Sequence, residues 1–260
     1  MLEALKIIDV SNVNDPTIVG TVESVNPEFY IIDNYVFTIS GGYIMSVIDI
    51  TDPSTPFLTN FFGIPFSDVL IGLGNFLYIA GQGVHAIDVT DVYNPKFLNL
   101  SDKTYIDDLS CDDHYLAASS NNECEVDYWD ISNQLDPVYK GLIDVTGPTS
   151  DVEVINDILL VRSFYFPIEI YNLQAPSDAM DIGTLDRAGQ FWLAKRVDAS
   201  NCGLIIGQGI YVIDFADPGE PAIKAWKPGL YKDAASDGQY IYAVRQDTTD
   251  YTHFIVMEIP

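Results

Sequence analysis

Ser46-Val-Ile-Asp-Ile-Thr-Asp-Pro-Ser-Thr-Pro-Phe-Leu-Thr-Asn-Phe-Phe62 is the stretch whose reading decides the fold. Val47, Ile48 and Ile50 form a β-branched apolar run interrupted only by Asp49 and too short for a helix. Such a run reads as a strand covered on both faces. Asp49, followed by Thr51, Asp52 and Pro53, marks a turn, because a short acidic side chain can accept the backbone N–H groups just beyond it. Pro56 then opens a second apolar run, Phe57 to Phe62, and a strand led by proline is best tolerated at the edge of a sheet. The stretch therefore predicts an inner strand, an acidic turn and an outer strand.

The same order of features recurs along the chain. Copies are Leu5 to Asp9 with Pro16, Val84 to Asp88 with Pro95, Val126 to Asp130 with Pro137, and Ile210 to Asp214 with Pro221. Ile168 to Asn172 keeps a turn-forming side chain in place of Asp, and His253 to Glu258 closes the series. The anchors at 9, 49, 88, 130, 172, 214 and 258 are spaced by 40, 39, 42, 42, 42 and 44 residues. A strand-like repeat near this length predicts a propeller or solenoid. Two further strands fall between anchors, as in Asp68 to Ile71 and Tyr78 to Ala80, so each period holds four strands, the content of one blade. Gly81-Gln-Gly83 matches the outline of a dinucleotide fingerprint, but another strand follows it rather than a helix. It reads as a hairpin turn.

The copies Leu5-Lys-Ile-Ile-Asp9, Ser46-Val-Ile-Asp49 and Tyr211-Val-Ile-Asp214, each followed by Asp or Asn and Pro, resemble the LVIVD repeat of bacterial and archaeal β-propellers. The resemblance implies a single all-β domain over residues 1–260, built from four-stranded antiparallel blades. It also implies no particular chemistry, and a secreted or surface-attached setting. Counting anchors favours six blades, with residues 16–22 closing the ring onto the last blade through pairing of the N- and C-terminal strands. The alternative is a seven-bladed or incomplete ring.

Composition narrows the partners. Lys and Arg number 12 against 38 Asp and Glu, a net charge of −26. Such a field repels phosphate backbones and anionic membrane surfaces, which argues against nucleic acid. No apolar stretch reaches the roughly 20 residues of a membrane helix, so no membrane insertion is expected. Cys111, Cys124 and Cys202 lack metal-ligand spacing and are expected to be thiols.

Aligning the first strand of each blade groups Glu28, Asp68, Asp108, Asp151, Arg196 and Asp233, with a one-residue insertion at Asp68. A ring of five carboxylates would take up protons or attract a cation, and oxygen ligands suit a hard ion such as calcium. The alternative is that each acid bonds backbone N–H groups and fixes the packing. Trp192, Lys195 and Arg196 crowd one strand and could hold an anionic sugar or carboxylate. Phe164, Tyr165 and Tyr251 sit in irregular loops joining one strand pair and could form an aromatic contact face for a protein or glycan. Cys111-Asp-Asp-His114 reads as a turn. The expectation is a non-enzymatic, extracytoplasmic binding or scaffold propeller that uses one loop face. The alternative is a carbohydrate-active or lactone-cleaving enzyme using the channel acids with Arg196.

Overall fold

The structure, a computed structural model, describes residues 3–25, 28–163, 168–174, 184–185, 191–196, 202–207, 209–214, 222–237, 239–246 and 252–258. Among them every regular element is a strand, every strand pairing is antiparallel, and no helix is long and apolar enough to cross a membrane. The chain divides into two compact units, residues 1–109 with 133–137, and residues 110–132 with 138–260.

In the first unit, β1 (Glu3–Asp9) pairs with β2 (Thr17–Val25), and β3 (Phe29–Ile32), β4 (Tyr35–Ser40), β5 (Ile44–Asp49) and β6 (Phe57–Gly63) form a four-stranded meander. The third sheet contains β7 (Ser67–Leu73), β8 (Phe76–Asp88) and β9 (Lys96–Thr104). β8 is a hairpin in itself. Residues 76–81 pair with β7 and residues 82–88 with β9, while the Val89 N–H donates to the Asn75 carbonyl at 2.9 Å, so the two ends of the run meet. Gly81 (φ 151°) and Gly83 (φ 93°) make the reversal, at angles a Cβ would oppose. The expected glycine hairpin is therefore present, and this sheet has the four-strand content of a blade.

The second unit repeats the pattern. β10 (Asp108–Cys111), which starts at the unit boundary, runs with β11 (Tyr115–Ser119), β12 (Glu125–Asp130) and β13 (Val138–Asp144). β14 (Thr149–Ile155), β15 (Ile158–Ser163), β16 (Ile168–Asn172) and β17 (Thr184–Leu185) follow, then β18 (Phe191–Arg196), β19 (Cys202–Gly207), β20 (Gly209–Asp214) and β21 (Ala222–Pro228). The last sheet is β22 (Leu230–Ser236), β23 (Tyr240–Gln246) and β24 (Thr252–Glu258). The strand that the six-blade count assigns to this sheet, β2, has β1 as its described partner.

The core lies between sheets. Within the first unit, Phe37, Met45 and Val47 pack on Leu70, Leu77, Ile79 and Ile87 of the next sheet. In the second, Val126, Tyr128 and Ile143 pack on Val152, Val154 and Leu159; Ile158 and Ile170 pack on Tyr211 and Ile213; and Ile210 and Val212 pack on Ile241 and Ala243. An inner strand such as β4 is thus buried on both faces, which is why it lacks polar alternation. The proline-led strands β6, β13 and β21 are largely exposed.

The turns after the anchors share one device. The carboxylate of Asp9 accepts the Ser11 N–H, Asp49 that of Thr51, Asp88 that of Thr90 and Asp130 that of Ser132, and the Asn172 side chain does the same for Gln174, at 2.8–3.1 Å. Just beyond Val47, Tyr128 and Val212 the outer strand carries a bulge. The extra residues Lys140 and Lys224 reach back to Asp130 and Asp214 at 3.1 and 2.7 Å.

Two outcomes are expected in urea denaturation. Asp88 is buried and caps its turn, so Asp88→Ala lowers stability by about 1–2 kcal/mol, and Asp88→Asn, whose amide oxygen can still accept the Thr90 N–H, lowers it less. At Gly20 a Cβ would drive into the Pro53 carbonyl oxygen, so Gly20→Ala costs about 1–3 kcal/mol by overpacking. A Gly20→Ala protein as stable as the parent would contradict this packing of β2.

Candidate functional site

The acids aligned from sequence do not share one environment. Asp151 lies opposite Arg162 and Asp233 opposite Val244, at matching register positions of their sheets. Continuing the pairings Phe29↔Thr38 and Asp112↔Tyr115 brings Glu28 and Asp108 to the same position. Asp68 stands one residue earlier, on the bulge between Ser67 and Val69, which is the insertion its alignment requires. Arg196 does not belong to the set. Leu193, opposite Ile206, occupies the equivalent position, and Arg196 lies three residues further along, opposite Gly203. A bulge between Phe191 and Leu193 shifts the register there, leaving Trp192 as the extra residue. The side chains of Trp192, Lys195 and Arg196 lie outside the described residues, as do Phe164, Tyr165 and Tyr251.

Where these acids are described, their partners differ. Asp151 is buried and faces the Arg162 guanidinium at 3.9 Å. Asp233 is exposed, with its carboxylate on the Ala234 N–H at 2.9 Å. Arg162 was not legible as a partner because nothing in the sequence of one blade marks a cross-strand arginine.

Among the described residues, the one group of three potential metal ligands with donor atoms within 4.8 Å of one another is Asp112, His114 and Asp157, in the second unit. Its chemistry is already committed. Asp112, fully buried, accepts the His114 and Tyr115 N–H groups on one oxygen and the Asp157 N–H on the other. Asp157 accepts His114 Nδ1 at 2.7 Å and Gln174 Nε2 at 2.6 Å. Each carboxylate oxygen thus has a donor, and the group fastens the β10–β11 turn to the β14–β15 turn. His114 and Asp157 hold equivalent positions one repeat apart, each giving its carbonyl to the residue after an anchor, Ile131 and Leu173. That equivalence is the signal a repeat alignment could have used. Cys111 and Cys124 are both thiols.

Two kinds of surface remain open to a partner. In the first unit, Phe66, Asp68, Gly81, Gln82, Thr104, Tyr105, Ile106 and Asp107 line a cup of about 190 Å³. The outer strand β6 leaves Leu58 and Phe61 exposed by 56% and 66%. They stand opposite Ile48 and Ser46, and so share one sheet face. On the other face, Phe62 meets the Phe97 ring edge-on at 6.0 Å, and Asn60 Nδ2 donates to the Val92 carbonyl at 2.7 Å. In the second unit, Trp226 is likewise exposed and borders an apolar groove of about 320 Å³ with Ile210, Val212, Val256 and Met257.

Comparison with known proteins agrees with the repeat. Residues 3–24 match the model of the LVIVD repeat. No curated protein sequence matches the chain. Among solved structures, a chain in the crystal structure of the mitotic checkpoint complex superposes with a TM-score of 0.67 at 11% identity, covering 99% of this chain and 84% of that one. Hsv2p of Kluyveromyces lactis gives 0.58 at 12% identity over 90% of this chain and 74% of that one, and a second Kluyveromyces lactis Hsv2 structure gives 0.58 at 13% over 84% and 71%. At such identities the likeness concerns the fold, and these neighbours are WD40-like β-propellers.

The His114 contact sets a pH dependence. Its hydrogen bond to Asp157 and the charges of Asp157, Asp112 and Asp113 outweigh desolvation and hold the imidazole above its usual value. A raised folded-state value means the stabilisation is fully present below the unfolded-state value near 6.5 and is lost as pH rises through the folded one. Denaturant midpoints of the parent are therefore expected to fall between pH 6 and 8 more steeply than those of His114→Gln. Identical slopes would show that the contact carries no proton linkage.

Proposed function

We propose that the chain is a non-enzymatic binding or scaffold propeller working outside the cytoplasm or at the cell surface. Its partner is a protein or a surface polymer. The observation that carries this reading is the exposure of Leu58 and Phe61 on one face of β6, where large apolar side chains stand in water on a strand whose neighbours are committed to packing. Apolar side chains grouped in this way mark interaction surfaces more often than catalytic ones. The likeness to a propeller chain found in the mitotic checkpoint complex supports the same reading. The loop aromatics Phe164, Tyr165 and Tyr251 of the second unit are proposed as a contact face of their own. The seven anchor strands in the sequence allow a ring of six or seven blades for this scaffold.

Retention of the purified chain on the cell-envelope fraction of its source tests the reading. The double variant Leu58→Asp, Phe61→Asp is expected to bind at least about tenfold more weakly, the scale of losing a two-residue apolar contact. Its stability should stay within about 0.5 kcal/mol of the parent, since both residues are exposed. Unchanged retention of the variant would move the contact elsewhere, and a parent that binds no envelope component and crosslinks to no protein would refute the reading.

A further inference from the structure

We propose that the cup at Asp68 binds an organic ammonium group, either a small free amine or the lysine side chain of a partner protein. The inference stands apart from the scaffold reading, since it rests on the cup alone.

Asp68 differs from the other acids of the repeat. Asp49, Asp52, Asp88, Asp91 and Asp130 are committed to turn N–H groups, and hydrogen bonding to their neighbours holds each below the usual carboxylate range. Asp68 caps no turn. It is exposed, and among the described residues it has no hydrogen bond or ion pair. Its position on the bulge between Ser67 and Val69 turns its carboxylate out of the regular alternation and into the cup.

The rest of the cup is fixed in place. Gly81 lies so close that a Cβ would approach the Phe66 carbonyl oxygen at 2.7 Å and the Asp68 carboxylate at 3.3 Å, so any larger residue would crowd the acid. The Gln82 N–H donates to the Phe66 carbonyl at 2.8 Å and the Tyr105 N–H to that of Gly81 at 3.0 Å, tying the three lining segments together. The Phe66 ring is held edge-on by Tyr43 at 5.3 Å. Tyr105 has φ 65° and is 72% exposed, a backbone angle seldom adopted by a bulky residue. It keeps its ring at the rim while the next residue, Ile106, is buried.

The chemistry of the lining selects the ligand. Asp68 and Asp107 supply negative charge, the Gln82 amide and Thr104 hydroxyl supply oxygen acceptors, and Phe66 and Tyr105 supply aromatic surface. Carboxylates beside aromatic rings attract cations both by charge and through the ring quadrupole. A volume of about 190 Å³ is more than a bare ion fills, and among the described residues no three acidic, His or Cys donors converge here. It is smaller than the roughly 300 Å³ at which pockets for drug-sized molecules begin. An ammonium group with a short carbon body fits between these limits.

The test is titration of the whole chain, followed by the backbone amide signals of Gly81, Gln82 and Tyr105 in two-dimensional nuclear magnetic resonance. The probes are choline, its neutral isostere 3,3-dimethylbutanol, and N-acetyl-lysine amide with its ε-acetylated form. The expected result is saturable shifts at those three amides with a charged probe and none with its neutral counterpart. Saturation by choline points to a free amine, and saturation by the lysine amide alone points to a partner's lysine. Asp68→Asn is expected to weaken binding about tenfold, the scale of one charge-assisted contact. Asp91→Asn, at a turn acid outside the cup, is expected to leave it unchanged. Exposure of Asp68 makes its variant compatible with the fold, and the unaltered spectrum of the other residues checks this. Equal binding of charged and neutral probes, equal weakening by both variants, or no saturable shift with any ammonium probe would overturn the assignment.

Discussion

Every inner strand has two faces to bury and only neighbouring sheets to bury them with. β4 has Val36 facing Ile48 and Val25, while Phe37 and Ile39 face the sheet of β7 and β8. No sheet has an interior of its own, so within each unit stability is a sum of sheet-to-sheet contacts, as in other repeat proteins. That constraint explains where function can reside. The strand faces are committed, leaving the exposed outer strands, the turns and the bulged strand starts to meet anything from outside.

The same constraint accounts for the chain's acidity. Each period needs a sharp reversal between its inner and outer strands, and an Asp or Asn that accepts the N–H two residues on provides it without a helix or a disulfide. Repeating that device around the chain accumulates negative charge as a by-product of turning. Part of the net −26 is therefore structural in origin, whereas Asp68 caps no turn and has no bonded partner among the described residues.

The strands, the acidic turns and the glycine reversal at Gly81 to Gly83 were legible because each has a local chemical cause: β-branching, Asx bonding and backbone freedom. Register was less legible. Arg196 is grouped with Asp151 when residues are counted, yet Leu193 takes that place, and the hydropathy of the strand does not mark the difference. Contacts one repeat apart, such as His114 with Asp157, need two blades to be compared at once. The strain at Tyr105 and the lysine on the Asp130 turn have no signature in a window of single-sequence pattern. The cup is assembled from three separated segments, of which sequence singled out Asp68 for its charge and Gly81 to Gly83 as a turn without bringing the two together.

The bulged lysines bear on how the molecule behaves at high concentration. An outer strand with a straight row of unsatisfied amides invites a second molecule to extend the sheet, the first step toward fibrils. β13 and β21 each interrupt that row with one bulged residue, and the residue is a lysine folded back on an anchor carboxylate. The local twist and the charge paired across the edge leave an incoming strand no continuous template. A protein made almost wholly of β-structure can in this way keep its rims from growing into its neighbours.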